Sequence, residues 1–153
     1  MDRIIHRQVK LNCDQEKAFA MFTQDSKVVT WLAEVARIEA HVGGKYELFW
    51  DPDHQEVNST IGCTITAIER NKLLCFEWKG PSHFPLMNSV RPLTHVSVSF
   101  CPDCAGEATE IHLVHTGWRS DDSWEQARLW FDAVWAQFLE RLKDRVDGDE
   151  NRL

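Results

Sequence analysis

Along this chain the hydrophobic positions follow two rhythms. Up to Gly117 they mostly alternate with polar ones; over residues 123–146 they recur every three or four positions. The second rhythm predicts one amphipathic helix carrying Trp124, Ala127, Trp130, Phe131, Val134, Trp135, Phe138, Leu139 and Leu142. At roughly 100° per residue these positions cover about half of the helix circumference. Asp132, Gln137, Glu140 and Lys143 fall outside that arc. So much aromatic area on one face needs a broad partner, such as a sheet of several strands.

The alternating rhythm supplies that sheet. Residues 3–11, 35–40, 46–50, 59–70, 73–78, 94–100 and 109–116 read as strands. Two short helices are expected after the first strand: residues 15–22, capped by Asn12 or Asp14, and residues 27–32, started by Asp25 or Ser26. Gly43-Gly44 marks a turn that uses positive φ, and Gly62 a bulge or a close approach. Asn71-Lys72 makes a two-residue turn. Short connections imply antiparallel pairing. The fold class is therefore α+β, a curved antiparallel sheet of about seven strands gripping a long C-terminal helix, with a pocket between them. Ser123 or Asp122 is the expected cap of that helix, and residues 147–153 a frayed charged tail of one domain spanning 1–153.

Residues 79–93 break both rhythms. Pro81, Pro85 and Pro92 are interleaved there with Phe84, Leu86 and Met87. Such a loop either is pinned to the core by its apolar residues or gates a binding site.

Composition narrows the function classes. The chain has 153 residues, 43% hydrophobic and 27% charged, which suits one soluble globular domain. A net charge of −7 without a basic run disfavours nucleic acid and anionic membranes as partners. No apolar run approaches the ~20 residues of a membrane span, and MDRIIHRQVKLN lacks a signal-peptide core. A cytoplasmic location is expected. Five cysteines, an odd number, suit a reducing compartment.

With these residues placed, the chain resembles the family of activators of the ninety-kilodalton heat-shock-protein ATPase. The resemblance rests on Thr23-Gln24-Asp25 followed by Trp31, on Gly43-Gly44-Lys45-Tyr46, and on Gly62. It continues through the segment 73–78 ending in Trp78, His115-Thr116-Gly117-Trp118, and Trp124 with the aromatic helix behind it. No single motif is specific; their order and spacing over nearly the whole chain are. The resemblance implies the helix-grip, START-like (Bet v-type) fold shared by lipid carriers, plant allergen-type binders and polyketide cyclases. It carries over no catalytic residue set, and a fold that hosts carriers, cyclases and co-chaperones does not choose among them.

Candidate chemistry is correspondingly diffuse. Trp50, Trp78, Phe100, Phe131 and Trp135 could line a ligand pocket or fill the core, with His115 and Arg128 as polar groups that would orient a guest. Arg128 either reaches into the cavity, to meet an anionic group or Glu47, or snorkels outward to Asp132. Cys101-Pro-Asp-Cys104 has dithiol spacing but sits in an expected hairpin turn, with no second pair to complete a zinc site. Glu47, Asp51 and His54 are a weaker metal or acid–base candidate, because Glu47 is expected to face water. No metal, no other cofactor and no catalytic residue are assigned. The leading expectation is a non-enzymatic carrier of a small apolar molecule gated by Phe84, Leu86 and Met87. The alternatives are a chaperone-interaction module and a cyclase- or hydratase-type enzyme. A homodimer through edge strands or the loop around Phe84 is a further expectation.

Overall fold

The computed structural model describes residues 3–150. Strand β1 (Ile5–Leu11) leads into α1 (Gln15–Thr23) and α2 (Asp25–Val28). Six strands follow: β2 (Val35–Ile38), β3 (Tyr46–Phe49), β4 (Ile65–Glu69), β5 (Leu73–Trp78), β6 (Thr94–Pro102) and β7 (Thr109–Thr116). A single helical turn, α3 (Leu86–Ser89), interrupts the β5–β6 connection, and α4 (Asp122–Glu150) closes the chain.

The strands divide into an antiparallel five-stranded sheet, ordered β1-β7-β6-β5-β4, and a β2-β3 ribbon. Isolated bridges Lys45–Thr64 and Phe49–Ser59 tie the two together. The single sheet expected from the alternation is thus broken at its fourth strand. Residues 61 and 62 form a turn rather than ladder, and pairing with β5 shifts register between Ile65 and Ala67. Gly62 explains the break: its φ is +84°, outside the extended range.

Local chemistry sets the helix ends. Asp14 caps α1 by accepting from Lys17 N at 2.8 Å. The cap of α4 is Asp121, whose Oδ1 accepts from Trp124 N at 3.0 Å, one position before the expected Asp122. Asp25 does not cap with its side chain; its Oδ1 accepts from Ile38 N instead and anchors α2 to β2. The tail expected from residue 147 is helical as far as Glu150, and Asp147 Oδ1 takes the Asn12 N–H at 2.9 Å. The remaining tail residues lie outside the described ones.

The concave face of the sheet buries Ile5, Leu74, Phe76, Trp78, Val96, Val98, Ile111 and Leu113 against α4. From the helix, Trp124, Ala127, Phe131, Trp135, Leu139, Leu142 and Val146 pack inward. Their steps of three and four make one narrow stripe. Tyr46 of β3 stacks on Phe76 at 3.9 Å between ring centroids and donates its hydroxyl to Phe22 O at 2.8 Å, joining ribbon, sheet and α1.

Candidate functional site: an aromatic cleft beside the long helix

The apolar arc of α4 is wider than its buried stripe. Trp130, Val134 and Phe138, at i, i+4 and i+8, form a flank that the sheet does not cover; Trp130 is 38% exposed. Across from this flank stand Trp50, just after β3, and Trp78, the last residue of β5. The space between is a cavity of about 310 Å³ walled by Trp50, Trp78, Trp130, Phe131, Val134 and Phe138.

The rings meet at defined angles. Trp50 lies edge-on to Trp78 at 5.8 Å and near-parallel to Phe138 at 6.2 Å. Phe131 is edge-on to Trp78 at 6.2 Å. The Trp50 indole is held in place because its Nε1–H donates to Leu32 O at 2.8 Å.

The rim is polar and comes from loops: Asn58, Ser59, Ser82 and His83, with Lys79, Gly80 and Pro81. Asn58 adopts positive φ, and its Oδ1 accepts from Ser82 N at 2.8 Å, latching one loop to the other. His83 leans on Trp130, centroids 4.9 Å apart. The lining contains no carboxylate, although the chain has 24 acidic residues.

Three of the sequence-predicted pocket residues, Trp50, Trp78 and Phe131, share this cavity; four do not. Phe100 lies between Phe19 and Phe22 at the α1 end of the sheet, where helix packing claims it. Trp135 and His115 are fully buried behind Trp78. There His115 Nδ1 accepts from Trp135 Nε1 at 3.0 Å and Nε2 faces Thr94 Oγ1 at 3.0 Å. Both imidazole nitrogens are used, and burial lowers the His115 pKa to about 3, so it is neutral.

Arg128 reaches neither the cavity nor Asp132. It forms a two-point ion pair with Glu125, at 2.6 and 3.1 Å, because Asp132 is taken by Arg7 of β1 at 2.9 Å. Hydrogen bonds from Arg128 and Arg3 hold the Glu125 carboxyl down at about 2. None of the expected gate residues lines the cavity either. Met87 is fully buried under Gly80, while Phe84 and Leu86 pack on the core edge. Asn88 clamps this arch by accepting from Gly80 N at 2.8 Å and donating to Gly80 O at 3.0 Å.

The other candidates separate in space. Glu47 is 7% exposed, not solvent-facing, because the 59–63 turn covers it and Gly62 N–H donates to its Oε2 at 2.7 Å. His54 pairs only with Asp51, at 3.1 Å on the surface. Among the described residues no group of three or more His, Cys, Asp or Glu is placed to hold a metal ion. Cys101 belongs to β6, opposite Glu110, and Cys104 lies in the turn beyond it; no disulfide joins any of the described cysteines. No helix among the described residues is long and apolar enough to cross a membrane.

Reasoning from the sequence missed Trp130, Val134 and Phe138 as a wall, and Asn58, Ser59, Ser82 and His83 as a rim. The wall had a signal: an apolar arc of half the circumference exceeds the stripe a single sheet face covers. The rim had none, since it depends on two loops meeting.

Solved structures with this fold are numerous. Protein MLL2253 of Mesorhizobium loti superposes with a TM-score of 0.73 at 22% identity, over 95% of this chain and 97% of that one. The Aha1 dimer from Colwellia psychrerythraea gives 0.69 at 18% identity, over 94% and 96%. PFC0360w, an HSP90 activator from Plasmodium falciparum, gives 0.70 at 16% identity, over 95% and 96%. At these identities the likeness is one of fold. No curated protein sequence matches the chain. The family model described as activator of Hsp90 ATPase homolog 1-like protein matches residues 12–147, from the end of β1 almost to the end of α4, and the chain belongs to that family.

Proposed function

We propose that this domain binds a small, largely apolar molecule in the cleft between the Trp130–Val134–Phe138 flank of α4 and the Trp50–Trp78 wall. One observation carries the reading: an aromatic flank of the helix faces a cavity of about 310 Å³ instead of being packed by the sheet. That volume falls at the lower end of the roughly 300–1,000 Å³ of small-molecule sites, with the usual apolar walls and few polar groups. The gate is the short segment 81–83, held by Asn58 and by the His83–Trp130 contact, while Phe84, Leu86 and Met87 anchor it. The fluorescent hydrocarbon amine N-phenyl-1-naphthylamine tests this. It should bind saturably, and Val134→Trp, which fills the cleft from a half-buried position, should weaken it more than tenfold with little loss of stability. Equal binding by the variant would place the probe elsewhere and defeat the proposal.

A second reading is a chaperone contact, as the description of the Plasmodium falciparum relative suggests. It is favoured by adjacent exposed apolar residues on α4, Leu129 at 54% and Trp130 at 38%. Stimulation of a ninety-kilodalton heat-shock ATPase that Leu129→Asp abolishes and Val134→Trp spares would support it; no stimulation by the unaltered protein would end it. The enzyme reading finds little support, since the lining offers His83 but no carboxylate to pair with it for acid–base work.

A further inference from the structure

We propose that the outer face of the sheet carries a separate site, in which His6 of β1 and His112 of β7 together bind a borderline divalent metal ion such as Zn²⁺. The residues of β7 that pack toward α4 are Ile111, Leu113 and His115, so Glu110 and His112 point the other way, to solvent. His6 lies opposite Val114 and Gln8 opposite His112, which sets the two histidines on a cross-strand diagonal. His6 Nε2 and His112 Nδ1 stand 3.1 Å apart.

Glu110 prepares this pair for a cation. Its Oε1 is 2.7 Å from His112 Nε2. A carboxylate only accepts, so the neutral imidazole gives it the Nε2 proton and keeps a lone pair on Nδ1, the atom that faces His6. The same carboxylate–histidine arrangement orients imidazoles that bind metals. Two nitrogens held by one ion at about 2.0–2.1 Å, at angles between 90° and tetrahedral, are roughly 2.9–3.4 Å from each other. The observed separation falls inside that interval.

Without an ion the two nitrogens face each other across a shared proton, which His6 Nε2 donates to His112 Nδ1. Loading requires His6 to carry its proton on Nδ1 instead, by exchange with water, and to turn its freed Nε2 toward the ion. His6 is exposed and its ring has no hydrogen bond other than the one to His112, so the turn meets no other restraint. Among the described residues no third His, Cys, Asp or Glu completes the site, so water fills the remaining positions and the ion exchanges readily. Imidazole donors suit Zn²⁺, Ni²⁺ and Cu²⁺, whereas Mg²⁺ and Ca²⁺ prefer oxygen. The chain's net charge of −7 favours a cation over an anion here.

The test is a Zn²⁺ titration of the whole, untagged chain, read residue by residue in long-range ¹H–¹⁵N spectra of the imidazoles. Cys101→Ser and Cys104→Ser are included as background, because these two exposed thiols would compete for the ion. Zn²⁺ should shift His6 Nε2 and His112 Nδ1 before any other imidazole and saturate at one ion per chain, and excess Mg²⁺ should leave both unmoved. His6→Gln and His112→Gln should each weaken binding more than tenfold. Glu110→Gln, which leaves both nitrogens in place, should weaken it about tenfold. Absence of a zinc-dependent shift at His6 and His112 at millimolar ion overturns the proposal, and so does an affinity that neither histidine variant changes. Either result leaves the apolar-cleft reading untouched, since no residue is shared between the two sites.

Discussion

Trp135 Nε1 donates to His115 Nδ1 across 3.0 Å, in the buried layer between α4 and β7. An indole N–H only donates, so this contact fixes the tautomer. Nδ1 is the acceptor, the proton sits on Nε2 and goes to Thr94 Oγ1, and the Thr94 hydroxyl continues to Trp78 O at 3.4 Å. A one-way chain of hydrogen bonds thus runs from the helix to the end of β5, where the cavity wall begins.

That chain makes stability depend on acid. Burial lowers the His115 pKa to about 3, whereas the unfolded chain titrates near the ordinary 6.5. Between these values the unfolded state holds a proton that the native state refuses, so stability is full above 6.5 and declines as pH falls, by about 1.4 kcal/mol per unit. Thermal unfolding midpoints from pH 7 to 4 should fall accordingly. His115→Gln, whose carbonyl can still accept from Trp135, should flatten the slope while lowering stability at neutral pH.

The Tyr46 hydroxyl donates to Phe22 O in a fully buried setting, and burial raises its pKa, so it stays protonated. Tyr46→Phe keeps the ring stacked on Phe76 and orphans the Phe22 carbonyl. The expected cost is about 1–3 kcal/mol, measured by denaturant unfolding. A change under a few tenths of a kcal/mol would show that this carbonyl finds another donor.

Gly43 and Gly44 are required for different reasons. Gly43 has φ of +83° with open space around it. Gly43→Asn should therefore be nearly neutral and Gly43→Ala should cost about 1–2 kcal/mol. At Gly44 an added Cβ would overlap the Glu39 carbonyl oxygen, which is backbone and cannot step aside. Gly44→Ala should be the more damaging change, and unfolding curves for the three variants check the ranking.

Arg7–Asp132 straps β1 to α4 at 2.9 Å, with the two side chains 40% and 34% exposed. Solvent screening leaves such a pair little net worth. A double-mutant cycle with Arg7→Ala and Asp132→Ala should return about 0.5 kcal/mol of coupling, shrinking in 1 M salt. A coupling above 2 kcal/mol would mean that the strap is far better shielded than its exposure implies.

Periodicity along the chain was enough for the α+β class, for β5 and β7 to the residue, for α1, and for a terminal helix whose inward stripe holds Trp124, Phe131, Trp135 and Leu139. Burial imposes those patterns locally, because each apolar side chain must find one face. Which apolar residues would border a cavity was not legible. Phe100 and Trp135 look like Trp50 and Trp78 in sequence, yet α1 claims one and His115 the other. Arg128 turned to Glu125 because a strand 125 positions earlier had already engaged Asp132. Gaps and rims are differences between what neighbouring surfaces need and what they supply. Such differences exist only once distant segments have met.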